Sequence, residues 1–255
     1  MTTAELRRNQ IVAMVNSQGH ISVTDLAREL SVTTATIRTD LNALEEEHLV
    51  IRSHGGAIPA VGRVINLKED IKEQRNRDLK ARIGAAATRL IDPDDSITLA
   101  TGSTMLTFAK SIVPQGNLTI LTSALRIAMH FVSNPENVSV YLLGGMIHDY
   151  TYSTWGKYAE DGLDFFFSNK LFFSCEGFDP DWGISCSLPG EAALTKKMIR
   201  SATKIILLAD STKFRRKGFC NICGFSDVDI IVTDSGLSEE ARKEIRSLGV
   251  ELIIA

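Results

Sequence analysis

Long apolar runs are missing from this chain. None approaches the roughly 20 residues needed to cross a bilayer, so no membrane segment is expected. The opening stretch, MTTAELRRNQIVAMV, has polar residues spread through it where a secretory leader would carry an apolar block. The expectation is a cytoplasmic protein. Cysteine is scarce, with only Cys175, Cys186, Cys220 and Cys223. The last two make a single C-x-x-C, and zinc wants a second pair of similar ligands. No metal, cofactor or catalytic residue is expected, and the thiols read as small core residues. A basic surplus is also absent. Net charge is −3, and residues 1–56 hold five Lys/Arg against seven Asp/Glu. Only residues 57–89 are basic, with eight against four. Bulk charge thus gives nucleic-acid binding no support, and any such reading has to rest on local placement. There is no internal repeat and no low-complexity tract.

What is present comes in two patterns. Up to residue 58 the chain reads as three short helices and a hairpin. Ser22-x-x-Asp25 resembles a capping box that starts the second helix. The third runs from about Thr34 to Glu47. At about 100° per residue, Ile37, Leu41 and Leu44 fall on one side of it. Ala35, Arg38, Thr39, Asn42 and Glu46 fall on the other. Its N-terminal end therefore presents small or hydroxylic side chains and one arginine, a composition that suits entry into a DNA major groove. Thr33, Thr34 and Thr36 supply hydroxyls there, and Arg38 can reach guanine or phosphate. The glutamates lie two to three turns away, so they do not oppose that contact. Next, IRSHGGA sets Arg52 and His54 beside a glycine turn, as a DNA-touching wing would. A three-helix module that binds protein, or merely packs, fits the same pattern.

Residues 59–80 are charge-rich and read as a linker running into a helix. From about residue 81 the period changes. Apolar strands at 96–100, 118–123, 138–145, 171–177, 204–210, 229–234 and 250–255 alternate with helical segments. That alternation predicts a mostly parallel sheet covered on both faces. Ligands then gather where strands end. At those ends lie Thr101, Gly102, Ser103 and Thr104, then Thr122-Ser123, Gly144-Gly145, Glu176-Gly177, Asp210-Ser211-Thr212-Lys213 and Thr233-Asp234. The Thr-Gly-Ser-Thr turn opens a helix and offers backbone N–H groups to an anion. Lys213 suits a phosphate but also fits a solvated basic run. Asp210 suits a helix cap or a sugar hydroxyl. Glu191 suits a ligand, or simply a favourable charge at a helix start.

The stretch VTTATIRTDLNALEEEHLVIRSHGGA closely resembles the signature of the DeoR family of bacterial transcription regulators. Thr36, Ile37, Arg38, Asp40, Leu41, Leu44, Arg52, His54, Gly55, Gly56 and Ala57 match it. Thr33 replaces a usual Ser, and Thr39 replaces a second Arg. By its place on the wheel, Asp40 is an internal partner rather than a DNA contact. The blocks TGST, LLGG, EAALTKKMI, LLADSTKF and IIVTD carry the resemblance over nearly the whole chain. It implies a winged helix-turn-helix domain at 1–58, a linker at 59–80, and an α/β effector-binding and oligomerisation domain at 81–255 similar in fold to ribose-5-phosphate isomerase. The DNA-binding candidates are Ser22, Thr33, Thr34, Ala35, Thr36, Arg38, Thr39, Arg52 and His54. The effector candidates are Thr101, Gly102, Ser103, Thr104, Thr122, Gly144, Gly145, Glu191, Lys196, Asp210 and Lys213. Expected partners are a double-stranded operator, a phosphorylated sugar and further copies of the chain, as a dimer or tetramer. Ala100, Ser123-Ala124 and Asn169 depart from the family pattern, which points to altered ligand choice. A sugar-phosphate isomerase with an appended helix-turn-helix is the alternative.

Overall fold

Helix α1 (Thr3–Gln18) leads into a two-residue strand, β1 (Ile21–Ser22), and then α2 (Val23–Glu29), α3 (Thr34–Glu46) and the strands β2 (Val50–Ser53) and β3 (Gly56–Pro59). The computed structural model describes residues 3–18, 20–46, 49–53, 55–59, 69–134 and 137–255. His54 and Glu47 lie outside the described residues. The chain divides into two units, residues 1–65 and 66–255.

The first unit forms around the stripe read from the sequence. Ile37, Leu41 and Leu44 are fully buried with Ile11, Val15 and Leu26. The Ser22 hydroxyl accepts the Asp25 N–H at 3.0 Å, which starts α2. Strand β3 pairs antiparallel with β1 on one side and β2 on the other. Two glycines permit this. Gly55 turns at φ +80°, and a Cβ on Gly56 would stand 2.3 Å from the Ile21 carbonyl oxygen. A side chain there would push the wing strand off β1.

The second unit begins with α4 (Glu69–Gln74) and α5 (Arg77–Ala87). Then come β4 (Ser96–Leu99), α6 (Ser103–Ser111), β5 (Leu118–Thr122), α7 (Leu125–Val132) and β6 (Val138–Leu142). A hairpin, β7 (Met146–His148) and β8 (Ser153–Trp155), precedes α8 (Lys157–Gly162) and β9 (Ser168–Phe173). The chain continues through β10 (Gly177–Asp179), β11 (Gly183–Cys186), α9 (Pro189–Arg200), β12 (Ala202–Leu208), β13 (Cys220–Cys223), β14 (Ile230–Thr233), α10 (Glu239–Ser247) and β15 (Glu251–Ile254). All seven strands expected from the apolar runs join one sheet, in the order β15-β14-β12-β9-β4-β5-β6, and every pairing in it is parallel.

Side chains alternate across this sheet with period two. Phe172, Ile206, Leu208, Ile230 and Val232 pack on one face with residues of α5 and α6. Leu171, Phe173, Leu207 and Ile231 pack on the other with residues of α9 and α10. Both faces are covered, as a parallel sheet requires. Two pieces were not legible as separate strands in the sequence. One is the β7–β8 hairpin, and the other is a small antiparallel sheet, β10-β11-β13. The C-x-x-C is β13, and all four cysteines are free thiols. Among the described residues, no helix is long and apolar enough to cross a membrane.

The strand order places the ligand edge. From β4 the chain winds outward through β5 and β6, then returns to β9 on the other side of β4 and winds outward through β12, β14 and β15. The order reverses between β4 and β9, so their carboxyl ends flank a crevice, the usual ligand position in such sheets. Thr101-Gly102 follows β4 there, and Ser174 to Glu176 follow β9.

Candidate functional site

In the first unit the decisive feature is which arginines are already engaged. Asp40 is 2% exposed and accepts from Arg7 Nε at 2.5 Å and Arg8 Nε at 3.1 Å. Burial opposes its charge, but the two guanidiniums outweigh burial and hold its pKa below the ordinary value. Asp40 is therefore an internal partner. Arg28 pairs with Asp25. Arg52, offered from the sequence as a wing contact, donates to Asn42 Oδ1 on α3, and its backbone N–H donates to Glu45. It braces the wing against the recognition helix. Ser22 is likewise committed, to the cap and to Thr24. Thr33 Oγ1 accepts the Thr36 N–H at 3.1 Å, and Thr39 Oγ1 donates to the Ala35 carbonyl. That leaves an exposed face of Ala35, Arg38, Thr39 and Asn42, with Thr34 and Thr36 half-buried beside it. Among the described arginines of this unit, Arg38 is the one with no side-chain partner.

At the sheet crevice, Gly102 precedes α6 at φ +125°, and a Cβ on it would lie 2.5 Å from Ser174 Oγ. This is a turn only glycine makes easily. No side chain caps the start of α6. Thr101 Oγ1 donates to the Thr151 carbonyl. Ser103 is 6% exposed, and Thr104 is 1% exposed with Oγ1 unpartnered.

Three lysines and three glutamates gather beside this turn. Lys72 pairs with Glu176 at 2.6 Å, and burial of its ammonium is outweighed by Glu176 and Glu191, so its pKa rises. Lys80 is 3% exposed and donates to the Lys72 carbonyl. Burial and then repulsion from Lys213 bring Lys80 down to about 8. Glu69 is 4% exposed with Oε1 unpartnered, and burial raises its pKa against the pull of Lys72, Lys213 and Lys80. Burial, with Glu176 and Glu69 adding to it, lifts Glu191 to about 7. Asn76, held in the left-handed region at φ 50°, donates to Asp210 Oδ1 and Thr212 Oγ1, both at 3.2 Å. An adjoining cleft is lined by Thr101, Ser123, His148, Trp155, Glu191 and Leu194, among others.

Several sequence candidates fall elsewhere. Thr122 Oγ1 donates to the Leu99 carbonyl and accepts the Ala124 N–H, fully buried, so it is spent inside the sheet. Gly144 and Gly145 are exposed, and Gly145 instead lets the β8 backbone close in, since a Cβ would lie 2.6 Å from the Trp155 carbonyl oxygen. Lys196 is exposed on the side of α9 that faces Cys223. Asp210 is 2% exposed, and its Oδ1 takes donors from Thr212 and Asn76, so it is a cap. Asn169 needs a correction. It sits at the start of β9 and accepts from Ser96 N and Oγ, at the opposite edge of the sheet from the crevice. Ala100 and Ser123 do line the cleft.

Sequence reasoning missed Lys72, Lys80, Glu69, Asn76 and Trp155. Lys80 carried a signal, because with Ile83, Gly84 and Ala87 it occupies the buried face of α5. A lysine on an apolar stripe has something to reach.

The state of Glu191 has a measurable consequence. The folded chain holds its proton up to about pH 7, whereas an ordinary glutamate releases it near 4.5. Folding stability therefore declines as pH rises between these values and stays reduced above them. Glu191→Gln should match the wild-type melting temperature near pH 4.5 and exceed it by a few degrees at pH 8. Superimposable melting curves at pH 8 would show that the carboxyl ionises without cost.

A winged helix-turn-helix followed by a parallel α/β unit points to a DNA-binding transcription regulator. The sequence matches the DeoR-like helix-turn-helix domain over residues 7–60 and the DeoR C terminal sensor domain over residues 75–235. The chain belongs to the DeoR family. It is 36% identical to the HTH-type transcriptional regulator YulB of Bacillus subtilis (strain 168), across 99% of this chain and 96% of that protein. It is 29% identical to the L-fucose operon activator of Haemophilus influenzae, across 93% and 94% of the two chains. Among solved structures it is similar to ribose 5 phosphate isomerase A from Neisseria gonorrhoeae, at 13% identity, a TM-score of 0.39 and coverage of 55% and 54%. That likeness is one of fold, and the family is one of transcription regulators.

Proposed function

We propose that this chain represses a carbohydrate uptake or catabolic operon, and that a phosphorylated sugar bound at the β4/β9 crevice sets its affinity for the operator. The observation that carries the effector half is the Lys80–Lys213 pair beside the α6 N-terminus. An ammonium close enough to lower the pKa of its neighbour Lys80, next to open N–H groups, is stabilised by a bound anion. The DNA half rests on Arg38 and the small residues around it, with two copies reading a symmetric operator. A sugar phosphate that prefers the sensor in one conformation shifts the population of DNA-competent oligomers by its differential affinity.

The test is a thermal-shift screen of the full chain against phosphorylated sugars and inorganic phosphate. Hits are followed by gel-shift titration on DNA upstream of neighbouring genes and by a reporter assay. Repression requires that a hit release DNA and raise transcription. A hit that tightens DNA binding and raises transcription would make the protein an activator. No stabilisation by any phosphorylated compound would refute the effector assignment.

A further inference from the structure

The parallel sheet has two edges, and they are finished differently. At one, β15 opens on exposed Glu251, and its Leu252 and Ile253 are half-buried against the two core clusters. At the other, β6 has no strand on its outer side. An open edge presents a row of unpaired N–H and C=O groups, and proteins that stay single blunt it with charge, proline or a bulge. Residues 137–147, NVSVYLLGGMI, hold no charged residue and no proline. The pairing of β6 with β5 runs without a break in register.

Exposed apolar side chains collect along the same edge. Among the described residues fourteen large apolar side chains are exposed, and six of them fall between residues 129 and 147. These are Met129, Val132, Tyr141, Leu142, Met146 and Ile147, each 48–65% exposed. Neighbouring contacts set their direction. Helix α7 packs beside β6 and buries Ile127, Ala128 and Phe131. On one flank of α7, Arg126 pairs with Glu73 of α4 and His130 approaches Ala109 of α6. At about 100° per residue, Met129 and Val132 lie on the opposite flank, which is the β6 side. On the other face of the sheet, Tyr141 packs on Phe166 with ring centroids 5.4 Å apart. Met146 and Ile147 continue the strip in β7, just past Gly144 and Gly145. At about 100 Å² apiece the six offer roughly 600 Å², the upper end for the largest apolar patch on an ordinary monomer. Exposed Ser139, Gly144 and Gly145 lie between them. With these and the β6 backbone, the strip approaches the ~800 Å² that each partner contributes to a standard stable interface.

We infer that a second copy of the chain docks on this edge, β6 against β6 in antiparallel register, so that two sheets become one. The occupant follows from the surface. A strand edge is completed by another strand. A strip without charge has nothing with which to select an oppositely charged partner, and an apolar strip matches itself. A twofold axis perpendicular to the sheet supplies that match, because each copy then offers the same patch to the other. It also sets the two α7 helices side by side, so that Met129 and Val132 of both copies meet over the joined strands. The inference does not depend on the effector site.

The test is analytical ultracentrifugation of the full chain, with cross-linking. The wild type should be dimeric or larger at micromolar concentration. Met129→Lys combined with Leu142→Lys changes two exposed positions and should keep the circular dichroism of the wild type. It should raise the dissociation constant about a hundredfold or more, because like charges from the two copies are brought together. In an antiparallel twofold pair only the residue at the axis meets its own copy. Val138→Cys, Ser139→Cys, Val140→Cys, Tyr141→Cys and Leu142→Cys, oxidised singly, should therefore give a covalent dimer at one or two neighbouring positions. The wild type, whose own thiols are buried or half-buried, is the control. A wild type that is monomeric at that concentration overturns the inference and leaves the edge to a different protein. So does a double variant that associates like the wild type, and so does a cysteine series with no covalent dimer beyond the control. If the double variant misfolds, the cysteine series decides alone.

Discussion

Replacing Arg38 with alanine is expected to lower operator affinity by roughly 10- to 100-fold, the range of one good base contact, while the fold of the N-terminal unit is kept. The reason is economy of cations. Arg7 and Arg8 are held by Asp40, Arg28 by Asp25, and Arg52 by Asn42. Arg38 alone among the described arginines of the unit stands exposed and unengaged on the outward face of α3. Its side chain contributes nothing to the buried cluster of Ile37, Leu41 and Leu44, so thermal unfolding should be unchanged. Arg38→Lys separates two roles. Lysine keeps the charge but cannot make the planar bidentate contact, so it restores phosphate attraction without base discrimination. Arg52→Ala should weaken binding less, because its guanidinium already serves the α3–wing contact. Gel-shift titration at two salt concentrations reads all three variants. Equal losses for Arg38→Ala and Arg52→Ala would move the recognition contact off α3.

Replacing Lys213 with alanine is expected to weaken effector binding by about tenfold to a hundredfold, as loss of a charged hydrogen-bond partner does (about 1.5–3 kcal/mol). DNA binding without effector should persist. Lys213 is half-buried on the turn after β12 and has no ion-pair partner among the described residues. Its charge acts on Lys80, Glu69 and Glu191 together. Lys80 adds a pH signature. With its ammonium titrating near 8, the crevice loses a cation as pH rises through that value, and phosphate affinity should decline above about pH 8. Loss of Lys213 removes the repulsion that depresses Lys80, so in the variant the decline should move to higher pH. Effector-induced DNA release, measured from pH 6.5 to 9, checks both points. A wild-type affinity that is flat across pH 8 would separate Lys80 from the phosphate.

The recognition helix was legible because its evidence is local. One turn of α3 sets Ile37 against Leu41 and Leu44 inward and Arg38 outward, and 100° per residue is enough to separate them. The seven sheet strands were legible for a similar reason, since short apolar runs between helical segments have few other folds open to them. The glycine turn at Gly102 was visible as a helix-opening motif.

Other features depended on residues far apart in the chain. Thr122 looks like a ligand from its place at a strand end, but its hydroxyl is used by Leu99 and Ala124. Asn169 looked like a lost ligand and lies at the wrong edge of the sheet. Trp155 carried no motif, and its place comes from Gly190 and His148 lying against it.

The sequence by itself determined the elements, the outward face of α3 and the glycine turn that opens α6, because helix and strand periodicity are properties of neighbours in the chain. Only the tertiary structure decided which polar groups remain available. It assigned Asp40 to Arg7 and Arg8, Asp210 to Asn76 and Thr212, and it brought Lys72 and Lys80 from the start of the unit to Glu176, Glu191 and Lys213 near its end. A hydrogen bond or an ion pair is made across space, and the chain order does not say which partner arrives.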